Sequence, residues 1–376
     1  MRERSSASAT PRVRDLTQRA RRLVAEIDGG SMHELLLAMW LVFDPGGYQA
    51  DHDLGAEWFQ GMVEATPADL RQEIEFLGTT DYGTWCALRG LVARAPGDHA
   101  IDSVLEWLAG LEPAEIRRGL LAYTVDLPDD PALVAPAIDG DRQALASLLG
   151  DRQEAASFYG ALFSLPHGQL RDRIVAALRR FRDEVYRKVE DEVTSAITRA
   201  AKGVTVLAKE ADPERLIEAV TNGLDYRIHP GVARLVLVPS VIVRPWAVMD
   251  QHQDTLVVVF PVADEYIDLD PDAPAPWMVK VYKALADAKR LRVLRRLAEG
   301  PSTLDELAKT LELSKSTVHH HVGLLRGAGL VRIAIDKAAG IKTYSLRPSV
   351  IPSARQALDE YLGLEPTDSL PTTRRT

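Results

Sequence analysis

The chain has 376 residues, 46% hydrophobic and 26% charged, a composition suited to a soluble fold of two to three domains. No run of about 18 consecutive apolar residues occurs, so no membrane span is expected. Cys86 is the only cysteine, which excludes an internal disulfide and a Cys-based zinc site.

The start, MRERSSASATPR, has no apolar stretch behind it and does not read as a secretory signal, so the expected location is the cytoplasm. Richness in Ala and Arg with few lysines points to a bacterial source. The net charge of −9 is unevenly spread: residues 277–349 hold 14 Lys+Arg against 6 Asp+Glu, a net of +8, and the rest nets −17. No lysine precedes Lys188, whereas Lys280, Lys283, Lys289, Lys309, Lys315, Lys337 and Lys342 all fall in the basic segment. Such a stripe is the footprint of a polyanionic partner; chance variation in charge is the alternative.

In chain order, residues 1–19 and 365–376 read as mobile tails, and 20–267 as a mainly helical domain with a small β region near 225–260. Ser31 and Glu34 are spaced as a capping box ahead of the apolar run 35–43, which Asp44-Pro45-Gly46-Gly47 ends: a buried core helix. Residues 56–165 stay helical in pattern, with Thr66-Pro67, Glu112-Pro113 and Asp130-Pro131 as helix starts. Ile174, Leu178, Phe181, Val185, Val189, Val193 and Ile197 then recur at helical spacing. That long helix either packs within its own domain, forms a spine between domains or faces a partner. A short helix over 213–224 precedes β-branched runs at 234–238, 240–243 and 255–259, read as strands. Residues 268–276, acidic and Pro-rich, read as a linker, and no fixed-period repeat is present.

Beyond the linker, 279–285 and 289–297 read as short helices. Thr303 and Glu306 form a capping box for a helix with apolar Leu304, Leu307, Ala308 and Leu311. Ser314 caps the next helix, which runs to about Ala328 and stops at Gly329, so the pair forms a helix-turn-helix. Strands at 330–335 and 341–346 make a hairpin wing. On the second helix Val318, Val322 and Leu325 share one stripe and must face the core, which leaves Ser316, His319, His320 and Gly323 opposite, available to DNA. Lys315, Ser316 and Thr317 occupy its first turn, where free amides favour phosphate.

The stretch from KALADAKRLRVLRRL through SKSTVHHHVGLLRGAGLV to the basic wing closely resembles the ArsR/SmtB-type winged-helix transcriptional regulators, over about a fifth of the chain. The resemblance implies a DNA-binding repressor that dimerises through its first helix (residues 278–285) and a helix after the wing (within 351–364), reading a pseudo-palindrome in duplex DNA. The expected phosphate contacts are Lys315, Thr317, Arg326, Arg332, Lys337 and Lys342; Ser316, His319 and His320 are the expected base readers. Residues 303–311 and 353–364 contain neither Cys nor His, so metal sensing at the family's usual places is not expected. Consecutive His319-His320-His321 point about 100° apart and cannot chelate one ion, and His321 is expected to pack half-buried. The extra N-terminal region suggests sensing of a small-molecule effector or a partner.

Elsewhere, Asp51-His52-Asp53, or His229 with Asp250, His252 and Asp254, offer metal-type residues, but solvated polar loops explain each at least as well. Cys86 lies in a helix interior, where a buried, inert thiol is usual. No nucleotide, hydrolase or metalloprotease motif is present, so no enzyme, no cofactor and no metal are expected. The expected fold class is mainly α with small β elements, α+β, with a C-terminal winged helix over 277–350. A winged helix used only for docking to protein is the alternative to DNA binding.

Overall fold

The computed structural model describes residues 23–44, 49, 52–78, 83–128, 130–209, 211–267, 272–336 and 341–364. Both expected tails, the first part of the expected linker and Lys337 lie outside these residues. The fold is mainly α with two small sheets.

In the N-terminal part, helices α1 (Met32–Val42), α2 (Gly55–Ala65), α3 (Ala68–Leu77), α4 (Thr84–Val92), α5 (Ile101–Gly110) and α6 (Pro113–Thr124) are followed by α7 (Pro131–Ile138), α8 (Arg142–Leu149) and α9 (Gln153–Leu162). Proline-marked starts hold: Pro113 and Pro131 occupy first turns, and the Asp130 carboxylate accepts the Ala132 amide at 3.0 Å. The long apolar stripe becomes α10 (His167–Phe181), one π turn at Arg182–Tyr186 and α11 (Arg187–Leu207), and it packs within its own domain. At the π turn, where the extra residue shifts the helical register, buried Arg182 reaches both Glu190 at 2.8 Å and Asp102 at 2.5 Å.

After α12 (Pro213–Val220), strands complete this part. A four-stranded sheet runs in the order β1 (Val24–Ile27), β3 (Arg234–Ser240), β5 (Thr255–Pro261), β4 (Val248–His252), with β1 and β5 parallel to β3 and β4 antiparallel to β5. The period-2 alternation sorts its side chains. Val236, Val238, Val257 and Val259 enter the core formed by α1 to α10, while Leu235, Leu237, Leu256 and Val258 meet Val204, Leu216 and Ile217 of α11 and α12. Helices therefore cover both faces, which is why these strands read as unbroken apolar runs.

Several expectations need correction here. Ser31 makes no side-chain cap; Glu34 turns inward, and its carboxylate accepts the amides of Val241 at 2.9 Å and Ile242 at 2.8 Å. Burial pushes the Glu34 pKa up to about 7 despite those hydrogen bonds. The same contact explains why 240–243 is no strand: β3 ends at Ser240, and the next amides are satisfied by a buried carboxylate instead of a ladder. The helix expected over 213–224 ends early, because Asn222 and Gly223 take positive φ (56° and 98°), releasing β2 (Leu224–Tyr226). Sequence reading also missed β1, β2 and β4; β4 hides because its Asp250 and His252 are polar yet buried.

The C-terminal part comprises α13 (Pro276–Leu285), α14 (Ala288–Glu299), α15 (Leu304–Leu311), α16 (Lys315–Gly327), β6 (Val331–Asp336), β7 (Ile341–Leu346) and α17 (Val350–Tyr361). Its own core gathers Val281, Leu294, Leu297, Leu307, Val318, Val322 and Leu325. β6 and β7 pair antiparallel, and β2 of the N-terminal part adds to β6 in parallel, Leu224 opposite Ile333. The wing's sheet therefore begins in the other domain. Among the described residues no helix is long and apolar enough to cross a membrane.

Candidate nucleic-acid interface

The geometry begins at the turn between α15 and α16. Thr303 and Glu306 close their capping box: the Glu306 carboxylate accepts the Thr303 amide at 2.8 Å, and the Thr303 hydroxyl accepts the Glu306 amide at 3.2 Å. Glu312 ends α15 in the left-handed region at φ 57°, and the Leu313 amide returns to the Ala308 carbonyl at 3.0 Å. Ser314 then caps α16, its Oγ accepting the Thr317 amide at 3.1 Å and meeting the hydroxyls of Ser316 at 2.9 Å and Thr317 at 2.7 Å. Three hydroxyls gather at the positive end of a helix.

Along α16, Val318, Val322 and Leu325 are buried and fix the helix on the core. Lys315, Ser316, His319 and His320 are exposed, and Thr317 and Gly323 half-buried. A β-carbon at Gly323 would meet nothing within 4 Å, so packing inside the protein does not require glycine there. His321 is more deeply buried than expected, at 8% exposure; burial lowers its pKa, and neither ring nitrogen has a hydrogen-bond partner. Lys315 lies 2.9 Å from Asp305, an exposed pair that costs little to break. Lys342 is exposed on β7.

Two of the expected phosphate contacts also have partners within the chain. The Arg326 guanidinium lies over the Trp246 ring, 5.4 Å from its centroid, and burial lowers its pKa. A β-carbon at Gly327 would stand 3.4 Å from Pro245, so this last turn of α16 sits directly on the Pro245-Trp246 corner. Arg332 pairs with Glu218 of α12 at 2.5 Å, beside the β2–β6 junction. The two share one cause: the N-terminal domain docks against this side of the winged helix and brings a ring to Arg326 and a carboxylate to Arg332. Lys280 of α13 likewise pairs with Asp53, which also holds Arg244 at 3.2 Å. Nothing local in the sequence marks Trp246, Glu218 or Asp53 as partners of side chains 80 or more residues away; only their convergence does.

Above the docked turn a cleft of about 630 Å³ opens between the domains, walled by Trp40 and Leu41 of α1, Trp246, and His319, His320 and Leu324 of α16. The other metal-type groups disperse. His229 accepts the Gly231 amide within its own turn, Asp250 pairs with buried Arg89, and His252 stacks on Tyr123 at 5.5 Å. Asp51 lies outside the described residues, His52 packs edge-on against Phe59 and Asp53 forms the ion pairs above. Cys86 is 2% exposed, and burial pushes its thiol up to about 11.

Comparison with known proteins addresses this same segment. Residues 285–334 match the model of a helix-turn-helix domain family. Three transcriptional regulators of Mycobacterium tuberculosis align with the chain over part of its length. HTH-type transcriptional regulator Rv2034 is 35% identical over 83 residues, 22% of this chain and 75% of its own length. HTH-type transcriptional regulator NmtR is 35% identical over 94 residues, 25% of this chain and 73% of its length. HTH-type transcriptional regulator KmtR is 38% identical over 74 residues, 20% of this chain and 57% of its length. With the capped helix pair, the outward stripe of α16 and the wing in place, the chain belongs through its C-terminal domain to the ArsR/SmtB-type winged helix-turn-helix transcriptional regulators, and is a DNA-binding regulator.

Proposed function

We propose that this regulator is a homodimeric repressor of bacterial transcription that reads a pseudo-palindromic operator through α16 and the wing, under the control of its N-terminal domain. The observation that carries this reading is the division of α16. Its first two turns present Lys315, Ser316, His319 and His320 to solvent, while its last turn is held on Trp246 of the other domain. Ser316, His319 and His320 read base edges; Lys315, Thr317 and Lys342 contact phosphate, as does Lys337. Arg326 and Arg332 belong to the domain seam.

Dimerisation uses α13 and α17, which pack together and leave Tyr282, Ile351, Tyr361 and Leu362 exposed on a face that a second copy would cover. Control follows from the cleft. An effector seated between Trp40 and Trp246 would touch His319 and His320, so effector and DNA would compete for the same side chains. No enzymatic step is needed in this scheme.

The test is binding of the full chain to fluorescent duplex DNA from its own upstream region, titrated in salt beside a scrambled duplex. Sequence-preferring binding at two half-sites, weakening steeply with salt, is expected. A second reading, the winged helix as a protein-docking module, draws on Lys280, Arg326 and Arg332 already serving contacts inside the chain. Under that reading no salt-dependent preference over the scrambled duplex would appear.

A further inference from the structure

Far from α16, three side chains converge on one point inside the N-terminal domain. Asp28 follows β1, His33 lies in the first turn of α1, and His99 stands two residues before α5. The Asp28 Oδ2 atom stands 2.8 Å from His33 Nε2 and 2.5 Å from His99 Nδ1. Among the described residues this is the one group of three or more His, Cys, Asp or Glu with ligand atoms mutually within 4.8 Å. We propose that Asp28, His33 and His99 form a binding site for a divalent first-row transition metal, zinc in the first instance.

The donor set is the first argument. Two imidazole nitrogens and one carboxylate oxygen suit zinc and its neighbours, and three protein ligands leave a position for an exchangeable fourth. Tetrahedral bonds of about 2.0–2.1 Å set neighbouring ligand atoms about 3.3 Å apart, so the two carboxylate–imidazole distances would each lengthen by less than about 1 Å, and the two imidazole nitrogens already lie within 4.8 Å of each other. The second argument is how His99 is held. Its Nε2 lies 2.8 Å from the Ala95 carbonyl and donates there, which leaves Nδ1 as the nitrogen facing Asp28; the hydrogen that Nδ1 gives to that carboxylate is what a bound ion would displace. A backbone carbonyl behind the ring is the support that metal-bound histidines use.

The third argument is the shape of the surrounding chain. His99 adopts φ 54°, unusual for a residue with a side chain, and a β-carbon on Gly30 would come 2.4 Å from the His99 β-carbon. The backbones are locked together by the Met32 amide donating to the His99 carbonyl at 3.1 Å, and the second Asp28 oxygen accepts the Gly30 amide at 3.0 Å. The carboxylate is thereby aimed with one oxygen free for the two rings. His33 is fully buried with its Nδ1 unpaired, whereas the His99 side chain keeps 14% exposure and so gives an ion and a solvent ligand a way in. The site stands independently of the DNA-binding reading.

The experiment uses the full chain, stripped with chelator, in a background with His319→Ala and His320→Ala so that the exposed histidines do not compete. Titration with Co²⁺, and with Zn²⁺ against a chromophoric chelator, should show one ion per chain and the absorption of four-coordinate cobalt. His99→Ala and Asp28→Asn should each weaken binding by at least about a hundredfold, since losing a ligand exceeds the 10–100-fold cost of losing its support. His99→Cys guards against a variant that misfolds: it should bind Co²⁺ with a new thiolate-to-cobalt charge-transfer band, for which buried Cys86 is no source. No binding to the stripped protein, affinity unchanged by His99→Ala, or no charge-transfer band in His99→Cys would each overturn the site.

Discussion

The two domains keep their polar chemistry in opposite places. The winged helix displays it: Lys315, Ser316, His319 and His320 stand in solvent on one helix, fixed from behind by apolar Val318, Val322 and Leu325. The N-terminal domain buries it. Arg89, 1% exposed, pairs with Asp250 beneath Trp40; Tyr123 reaches the same carboxylate at 3.4 Å; and Glu34 caps two amides in the interior. A displayed group costs the fold little and acts on whatever arrives, whereas a buried one is tied to its neighbours and shows up as stability. The seam at Trp246 and Arg326 is where one arrangement meets the other.

Four substitutions sharpen or break that contrast. The largest effect is expected from Arg89→Ala, which strands the Asp250 charge and should cost about 3–5 kcal/mol in chemical denaturation. A loss below 1 kcal/mol would mean the buried cluster is not a structural unit. Next comes pH. Burial, aided by the charges of Arg89, Arg94 and His33, lowers the His252 pKa to about 3. The unfolded chain binds that proton near the ordinary pKa of about 6.5 and the folded chain does not, so stability falls as pH drops from there toward 3. The loss from this group is about 2 kcal/mol at pH 5, and His252→Asn should flatten the stability profile between pH 6.5 and 4. An unchanged profile would place the titration elsewhere.

On the displayed side, His320→Ala should leave the melting temperature within a degree or so of the parent. It should nevertheless cost about 1–2 kcal/mol on the preferred operator, with little change on scrambled DNA. Equal losses on both duplexes would make His320 a phosphate contact. Smallest is Trp246→Ala, which frees the last turn of α16 from the N-terminal domain. Under the proposed control it should tighten operator binding by up to about tenfold, or about 1.4 kcal/mol. Unchanged affinity would remove the seam from the regulatory path.

Much of the winged helix was legible because its signals are local. The Thr303–Glu306 box, the Ser314 cap and the positive φ of Gly329, 71°, each depend on residues within a turn of one another. The stripe of Val318, Val322 and Leu325 follows from helical periodicity alone. Where a local signal had a distant competitor, it misled. Ser31 and Glu34 have capping-box spacing, but the amides of Val241 and Ile242, over 200 residues on, claimed the carboxylate. Arg326 and Arg332 carry charge suited to phosphate, and the fold adds partners to them that no local signal showed, Trp246 and Glu218. The Asp28, His33 and His99 cluster escaped notice for the same reason, since His99 lies 71 residues from its carboxylate.

By itself the sequence determined the helical pattern, the outward face of α16, the segregation of positive charge into residues 277–349 and the family of the C-terminal domain. Those features are set by neighbours in the chain, by composition and by periodicity. Tertiary structure alone decided which polar groups are buried, that β2 extends the wing's sheet across the domain boundary, and that Arg332 meets Glu218 there. The physical reason is that burial and charge pairing depend on what arrives from elsewhere in the chain, and a lone buried charge or unpaired amide costs enough to make those distant partners decisive.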